Sequence, residues 1–321
     1  MIRLCAFQGH RLKALVCFLG VLLSGWQITS STSAPASKTP IYVTASLTDK
    51  NGLFIEDLGL EEIQVSENDQ PRKVEFMARD EIPVVYGIIF DLSMLPERPD
   101  DDYRGAKLQI SSASSARSMA YELIDKHLGR HTIWVGGYEK ELRIVQDFTA
   151  DGFTAKAAIH QMHGRQAPGE PFLYSALFSG IVKMNTRTEK RRVLIVFMDV
   201  MDSETGGKLK PLKNLLSSSN VELFVVSFAS KLGSSRGGLQ PSMSQASLKE
   251  LTRVTSGDAY FAADYRDHFE DIARRLYNHI RTFYTFGFES ESSSDKPARL
   301  AIRCTRQGSK VKHHPTIASL P

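Results

Sequence analysis

Three side chains carry most of the chemistry that this sequence offers. Asp91 ends an unbroken apolar run at residues 84–90 (VVYGIIF), and Ser93 follows two positions later. Asp199 ends a second such run at residues 193–198 (VLIVFM). If the two runs are neighbouring strands, both carboxylates face one crevice. With the Ser93 hydroxyl they offer the hard oxygen ligands that suit Mg²⁺ or another oxygen-seeking cation. The alternative is that each acid only caps the turn after its strand. A fourth candidate is Ser235, in Gly233-Ser234-Ser235-Arg236-Gly237, which spells the G-x-S-x-G nucleophile pattern. That pattern works as a tight strand-to-helix turn, whereas residues 231–245 form a long Gly/Ser-rich stretch containing Pro241. His313-His314 lies in a basic tail and reads as solvated. No Walker A, HExxH or dinucleotide glycine fingerprint is present.

The elements that must position these groups follow from the apolar patterning. Runs apolar on both faces suit a parallel sheet covered by helices on both sides, and open sheets of that kind bind ligands at the carboxyl ends of their strands. Residues 82–91, 131–135, 142–145, 193–198, 221–228 and 259–261 read as strands. Residues 106–127, 155–162, 172–184, 209–216, 248–254 and 266–281 read as helices, the first opened by Asp100-Asp101-Asp102 at its positive end. Strands alternating with helices imply βαβ crossovers. The fold class is therefore α/β: a doubly wound, mostly parallel sheet, Rossmann-like, with a small flanking β segment built from both chain ends. Residues 41–47, 63–66 and 74–77 are the N-terminal strands of that segment, with a turn at 67–71. Residues 285–288 and 300–303 close it from the other end. From 307 onward the tail is polar and reads as loose.

The 321 residues have ordinary globular composition, 24% charged and 42% hydrophobic. The net charge of +4 includes Arg3, Arg11 and Lys13, and no acid lies within residues 1–34. Without them the charge is near neutral, which is no footprint for nucleic acid. Lys190-Arg191-Arg192 is the one short basic block, and just before a strand it reads as a solvated edge. Arg11 and Lys13 precede an apolar run at 14–23, followed by a Ser/Thr/Ala-rich stretch with a cleavage site near Thr32-Ser33-Ala34. Residues 1–34 are expected to be an export signal, with an uncleaved membrane anchor as the alternative. Cys5 and Cys17 would leave with it, so Cys304 alone remains and no internal disulfide or thiolate cluster forms.

Asp91-Leu92-Ser93-Met94-Leu95 after the GIIF strand, Leu173-Tyr174-Ser175-Ala176-Leu177, and residues 193–202 (VLIVFMDVMD) resemble the von Willebrand factor A (VWA) fold. The stretches TDKNG, LEEIQVSENDQPRKVEF and ARDEIPV before the first core strand resemble the VWFA-related Acidobacterial domain family. The resemblance covers the chain from Ile41 to the strands near Cys304. It implies residues 35–40 as linker, 41–80 as N-terminal β segment, 81–284 as VWA-like domain, 285–306 as C-terminal strands and 307–321 as tail.

The family's metal-ion-dependent adhesion site uses Asp-x-Ser-x-Ser on a first loop, Thr on a second and Asp on a third. Asp91, Ser93 and Asp199 match three of those positions. Leu95 stands where the second Ser is needed, and Pro171 replaces the Thr. Met198-Asp199-Val200 replaces Thr-Asp-Gly. Neither Leu nor Pro offers an oxygen from its side chain, so the resemblance implies a degenerate site that holds Mg²⁺ weakly. The expectation is an exported, periplasmic or extracellular, non-enzymatic module that binds a protein partner in the envelope or outside the cell. A functional Mg²⁺-dependent adhesion domain is one alternative. Another is a hydrolase using Asp91 or Ser235. The strand ending in Asp91 also resembles the nucleophile strand of haloacid dehalogenase-type phosphatases, but those need a second Asp where Ser93 stands.

Overall fold

The computed structural model describes residues 39–51, 53–79, 82–96, 112–126, 131–164, 172–199, 209–228, 245–262, 269–291 and 297–317. The expected signal, Pro171 and Ser235 lie outside the described residues. The described chain opens with β1 (Thr39–Thr48), β2 (Ile63–Glu67), β3 (Gln70–Arg72) and β4 (Val74–Arg79). An alternating stretch follows: β5 (Val84–Asp91), α1 (Ser112–Lys126), β6 (Thr132–Tyr138), β7 (Leu142–Thr149), α2 (Gly152–Gln161) and α3 (Leu173–Asn185). It continues through β8 (Arg191–Met198), α4 (Leu209–Ser218), β9 (Val221–Ser227), α5 (Gln245–Arg253), β10 (Asp258–Phe261) and α6 (Phe269–Arg281). The chain closes with β11 (Tyr284–Ser290), β12 (Ala298–Cys304), β13 (Lys310–His313) and β14 (Thr316–Ile317).

Six strands form the main sheet in the order β10-β9-β8-β5-β6-β7, parallel except for β7 at one edge. Counted within the sheet, this is the doubly wound order 3-2-1-4-5-6, whose direction reverses between β5 and β8. Every residue of β5 is buried. Val84, Tyr86, Ile88 and Phe90 join a core with α1, α2 and α6, while Val85 and Ile89 join one with α3, α4 and α5. That division is why the sequence shows an unbroken apolar run instead of alternation. Gly87 interrupts the run for a steric reason. A Cβ there would lie 2.6 Å from the Trp134 indole and 2.7 Å from Leu194 Cδ1. Trp134, fully buried, fills that space, and its Nε1–H points at Met184 Sδ, 2.9 Å away.

The described segments 39–79 and 284–317 build a second unit of two four-stranded sheets, β13-β1-β11-β4 and β14-β12-β2-β3. Their inner faces supply a separate core that includes Leu47, Val65, Phe286, Phe288 and Leu300. The pairing is interleaved, because β11 lies between β1 and β4 and β12 pairs with β2. The β2–β3 hairpin turns at Asn68 and Asp69, both with positive φ (49° and 66°), as the tightest hairpin turns require.

Three sequence expectations are corrected here. The tail from 307 is not loose, since β13 pairs with β1 and β14 with β12. Its strands are short and polar because they sit at sheet edges, where few side chains need burial; Ile317 alone is deeply buried. Gln70 and Pro71, read as the end of a turn at 67–71, belong instead to β3. Arg191, read as solvated, is only 2% exposed. Its guanidinium grips both Glu222 carboxylate oxygens at 2.8 Å, donates to the Ile280 carbonyl at 2.6 Å and lies 3.8 Å from the centre of the Phe283 ring. The Thr44 hydroxyl of β1 donates to the same Glu222 at 3.2 Å, so this buried ion pair also ties the sandwich to the main sheet.

Candidate functional site

Asp91 and Asp199 leave adjacent parallel strands at the same edge. Phe90 stands opposite Phe197 in the β5–β8 register, with their rings stacked 5.0 Å apart. This is the carboxyl edge at the switch point, where a doubly wound sheet opens its ligand crevice. Asp91 is fully buried, and its Oδ1 accepts the Ser93 backbone N–H at 2.9 Å and the Ser93 hydroxyl at 2.6 Å. It caps the short 3₁₀ turn at Leu92–Met94, as the capping alternative anticipates. Ser93 itself faces solvent.

Leu95 points the other way. It is 6% exposed and packs with Leu92 in the core on the α1 face. The loop is pinned there by Gly164, whose N–H donates to the Pro96 carbonyl at 2.9 Å. Gly164 must lack a side chain, because a Cβ would collide with the carbonyl oxygens of Leu92 and Leu95. A fully buried leucine contributes about 1.5–3 kcal/mol, so Leu95 anchors the loop.

Asp199 is half-buried just past β8. Burial pushes its carboxyl above the usual range, and a hydrogen bond from Ser112 opposes that shift. Ser112, the first residue of α1, was missed from sequence because nothing local ties it to residue 199. Glu139 was missed as well. It directly follows β6, and its carbonyl accepts the Phe172 N–H at 2.6 Å, fixing the approach to α3. Its Oε1 is buried with no hydrogen-bond partner among the described residues. Arg143 Nη2 lies 3.8 Å from the carboxylate's other oxygen.

The arrangement thus offers carboxylate acceptors and hydroxyls at one sheet edge. Among the described residues no group of three or more His, Cys, Asp or Glu could hold a metal ion. A hard cation would find Asp91, Ser93 and Asp199 as its protein oxygens, with Leu95 withdrawn into the core. Among the described residues that set falls short of the near-octahedral oxygen coordination that a tightly held Mg²⁺ needs. The described residues include no helix long and apolar enough to cross a membrane. His313 and His314, expected to be solvated, are half-buried instead. His313 Nε2 accepts the Ile302 N–H at 3.2 Å, and His314 Nε2 lies 3.1 Å from the Leu216 carbonyl oxygen.

No protein-family model and no curated protein matches the chain. Solved structures do. The chain is similar to a von Willebrand factor type A protein from Catenulispora acidiphila at 12% identity and TM-score 0.47, over 87% of this chain and 73% of that one. It is similar to the conserved hypothetical protein BatB from Bacteroides thetaiotaomicron at 13% identity and TM-score 0.43, over 62% of this chain and 99% of that one. It is also similar to proximal thread matrix protein 1 of the mussel byssus, solved with a zinc-occupied MIDAS motif, at 12% identity and TM-score 0.47. There the match spans 66% of this chain and 49% of the mussel protein. The strand order, registers and layers described above define the class by themselves: an α/β protein with a doubly wound sheet whose two central strands each lead into a carboxylate, Asp91 and Asp199.

Proposed function

We propose that the chain is an exported, non-enzymatic protein-interaction module of the VWA type, with a degenerate metal-ion-dependent adhesion site. Its carboxyl-edge crevice, around Ser93 and Asp199, meets a protein partner without a tightly held cation. The observation that carries this reading is the burial of Leu95. The first loop folds around an apolar anchor where the family places a ligand oxygen. Asp91 meanwhile serves its own turn through Ser93. A carboxylate so used, with no acid two residues on, is poorly placed as a nucleophile.

Calorimetry with Mg²⁺, Mn²⁺ and Ca²⁺ tests the metal half of the proposal, and no saturable binding at micromolar concentration is expected. Envelope proteins captured on the immobilised chain test the other half. A genuine partner is retained equally with and without chelator and is lost from Ser93→Arg, a change at an exposed position. Micromolar Mg²⁺ binding that Asp91→Asn abolishes would instead establish a metal-dependent adhesion site. Turnover of a hydrolase substrate that Asp91→Asn or Ser235→Ala removes would establish an enzyme.

A further inference from the structure

A cleft of about 860 Å³ opens at the amino edge of the main sheet, the opposite end from Asp91 and Asp199. One wall comes from the sandwich: the end of β1, the segment 53–57, Arg79 of β4, Arg306, and Lys312 of β13. The other comes from the start of β10 and the last turns of α6. Small-molecule sites commonly have this volume and lie where two packed units meet. We infer that this cleft is a second binding site, taking a small organic anion that bears carboxylate or phosphate groups.

The charge inventory gives the sign. Arg79, Arg275, Arg281, Arg306 and Lys312 line the cleft against Asp49, Glu56, Asp57 and Asp258. All four acids are already engaged. Asp49 Oδ1 accepts the Asn51 and Leu53 amides, each at 2.8 Å. Asp57 is held by Arg306 at 2.6 Å, Asp258 by Lys312 at 2.7 Å and Glu56 by Arg79 at 3.4 Å. On the cationic side, Arg281 has no carboxylate partner among the described residues. Arg79 Nη1 donates to the Glu56 carbonyl at 3.1 Å and lies 3.4 Å from its largely exposed carboxylate, which leaves the other guanidinium nitrogens available. Lys312, about half exposed, keeps further donor capacity in its three N–H groups. Arg306 is taken up by Asp57 and Glu62, so the donors left for a ligand are those of Arg281, Arg79 and Lys312, which suit a carboxylate or phosphate.

The remaining lining suits the rest of such a molecule. Phe54 forms an apolar wall, stiffened by stacking on Tyr284 at 5.4 Å, and Leu53 makes an apolar rim at 67% exposure. Deeper in, the Tyr260 hydroxyl lies 3.3 Å from His279 Nδ1. Both units supply cations, so a bound anion would bridge them and favour their docked arrangement over the unfolded chain.

The test uses the full chain with citrate and inorganic pyrophosphate as probes, each against NaCl of matched ionic strength. Saturable heat and a raised melting temperature beyond the salt control are expected for at least one probe. Binding of citrate alone assigns carboxylate recognition, and of pyrophosphate alone phosphate recognition. Arg281→Gln and Arg79→Gln alter exposed side chains, so each should leave the probe-free melting temperature unchanged. Each should weaken binding roughly tenfold, the loss of one charge-assisted hydrogen bond. Asp91→Asn should leave probe binding unaffected, which separates this site from the crevice. The inference is overturned if neither probe exceeds the salt control, or if affinity survives both arginine substitutions.

Discussion

Lowering the pH from 7 to 5 should destabilise this protein through His279 in particular. The imidazole sits on α6 with its ring edge-on to Phe224 of β9, the centroids 5.0 Å apart. Tyr260 and Asp258 of β10 face Nδ1 at 3.3 and 4.0 Å. Burial, reinforced by the Lys312 ammonium, pushes its pKa down to about 4, while Asp258 and Glu222 pull upward and Arg191 downward. In the unfolded chain the same group titrates near 6.5. A His with a depressed folded pKa favours the neutral form. Its contribution is therefore complete above about pH 6.5, and is lost as pH falls toward the folded value.

At about 1.4 kcal/mol per pKa unit, the full separation is worth roughly 3 kcal/mol, of which roughly 2 kcal/mol has gone by pH 5. Urea unfolding at pH 7 and pH 5 measures it, using wild type and His279→Gln, which keeps a polar group beside Tyr260. Burial depresses His313 and His314 as well, but both proteins share that loss. The difference between the two pH dependences isolates His279. Wild type should lose roughly 2 kcal/mol more than the variant. Parallel losses would show that His279 is not held neutral in the fold.

Other perturbations give sharper structural tests. Arg191→Met strands the Glu222 charge in the interior and should cost about 3–5 kcal/mol in urea unfolding, whereas adding Glu222→Met should recover most of it. A single-variant loss below about 1 kcal/mol would mean the pair is hydrated. A chain beginning at residue 82 deprives β11 of both its neighbours, β1 and β4; it should fail to melt cooperatively, and a melt like that of the intact protein would make the two units independent. Leu95→Ser should cost about 2–5 kcal/mol as a buried truncation and give no Mg²⁺ affinity by itself. A stable variant that binds Mg²⁺ would show that the loop accepts a ligand there without its apolar anchor.

What the sequence determined by itself is the part of the fold written in short-range pattern. Residues 84–90 and 193–198 read as central strands because burial on two faces leaves no polar position. Helix spacing located all six helices among the described residues to within a few positions wherever their ends are described. The positions of Asp91, Ser93 and Asp199 just at or past the ends of central strands were legible because a polar group closing an apolar strand stands out. The tertiary structure alone decided whatever depends on a distant partner. The polar Lys310–His313 segment is a strand because β1 offers it an edge. Arg191 is buried because Glu222 lies on the adjacent strand, 31 residues later. Ser112 reaches Asp199 because the helix after β5 starts beside the end of β8. The cleft at the amino edge exists because β1, the segment 53–57 and β13 come against α6 and β10. Local propensity is a property of a few neighbouring residues, whereas the burial and charge of a side chain are set by whichever segments the fold brings against it.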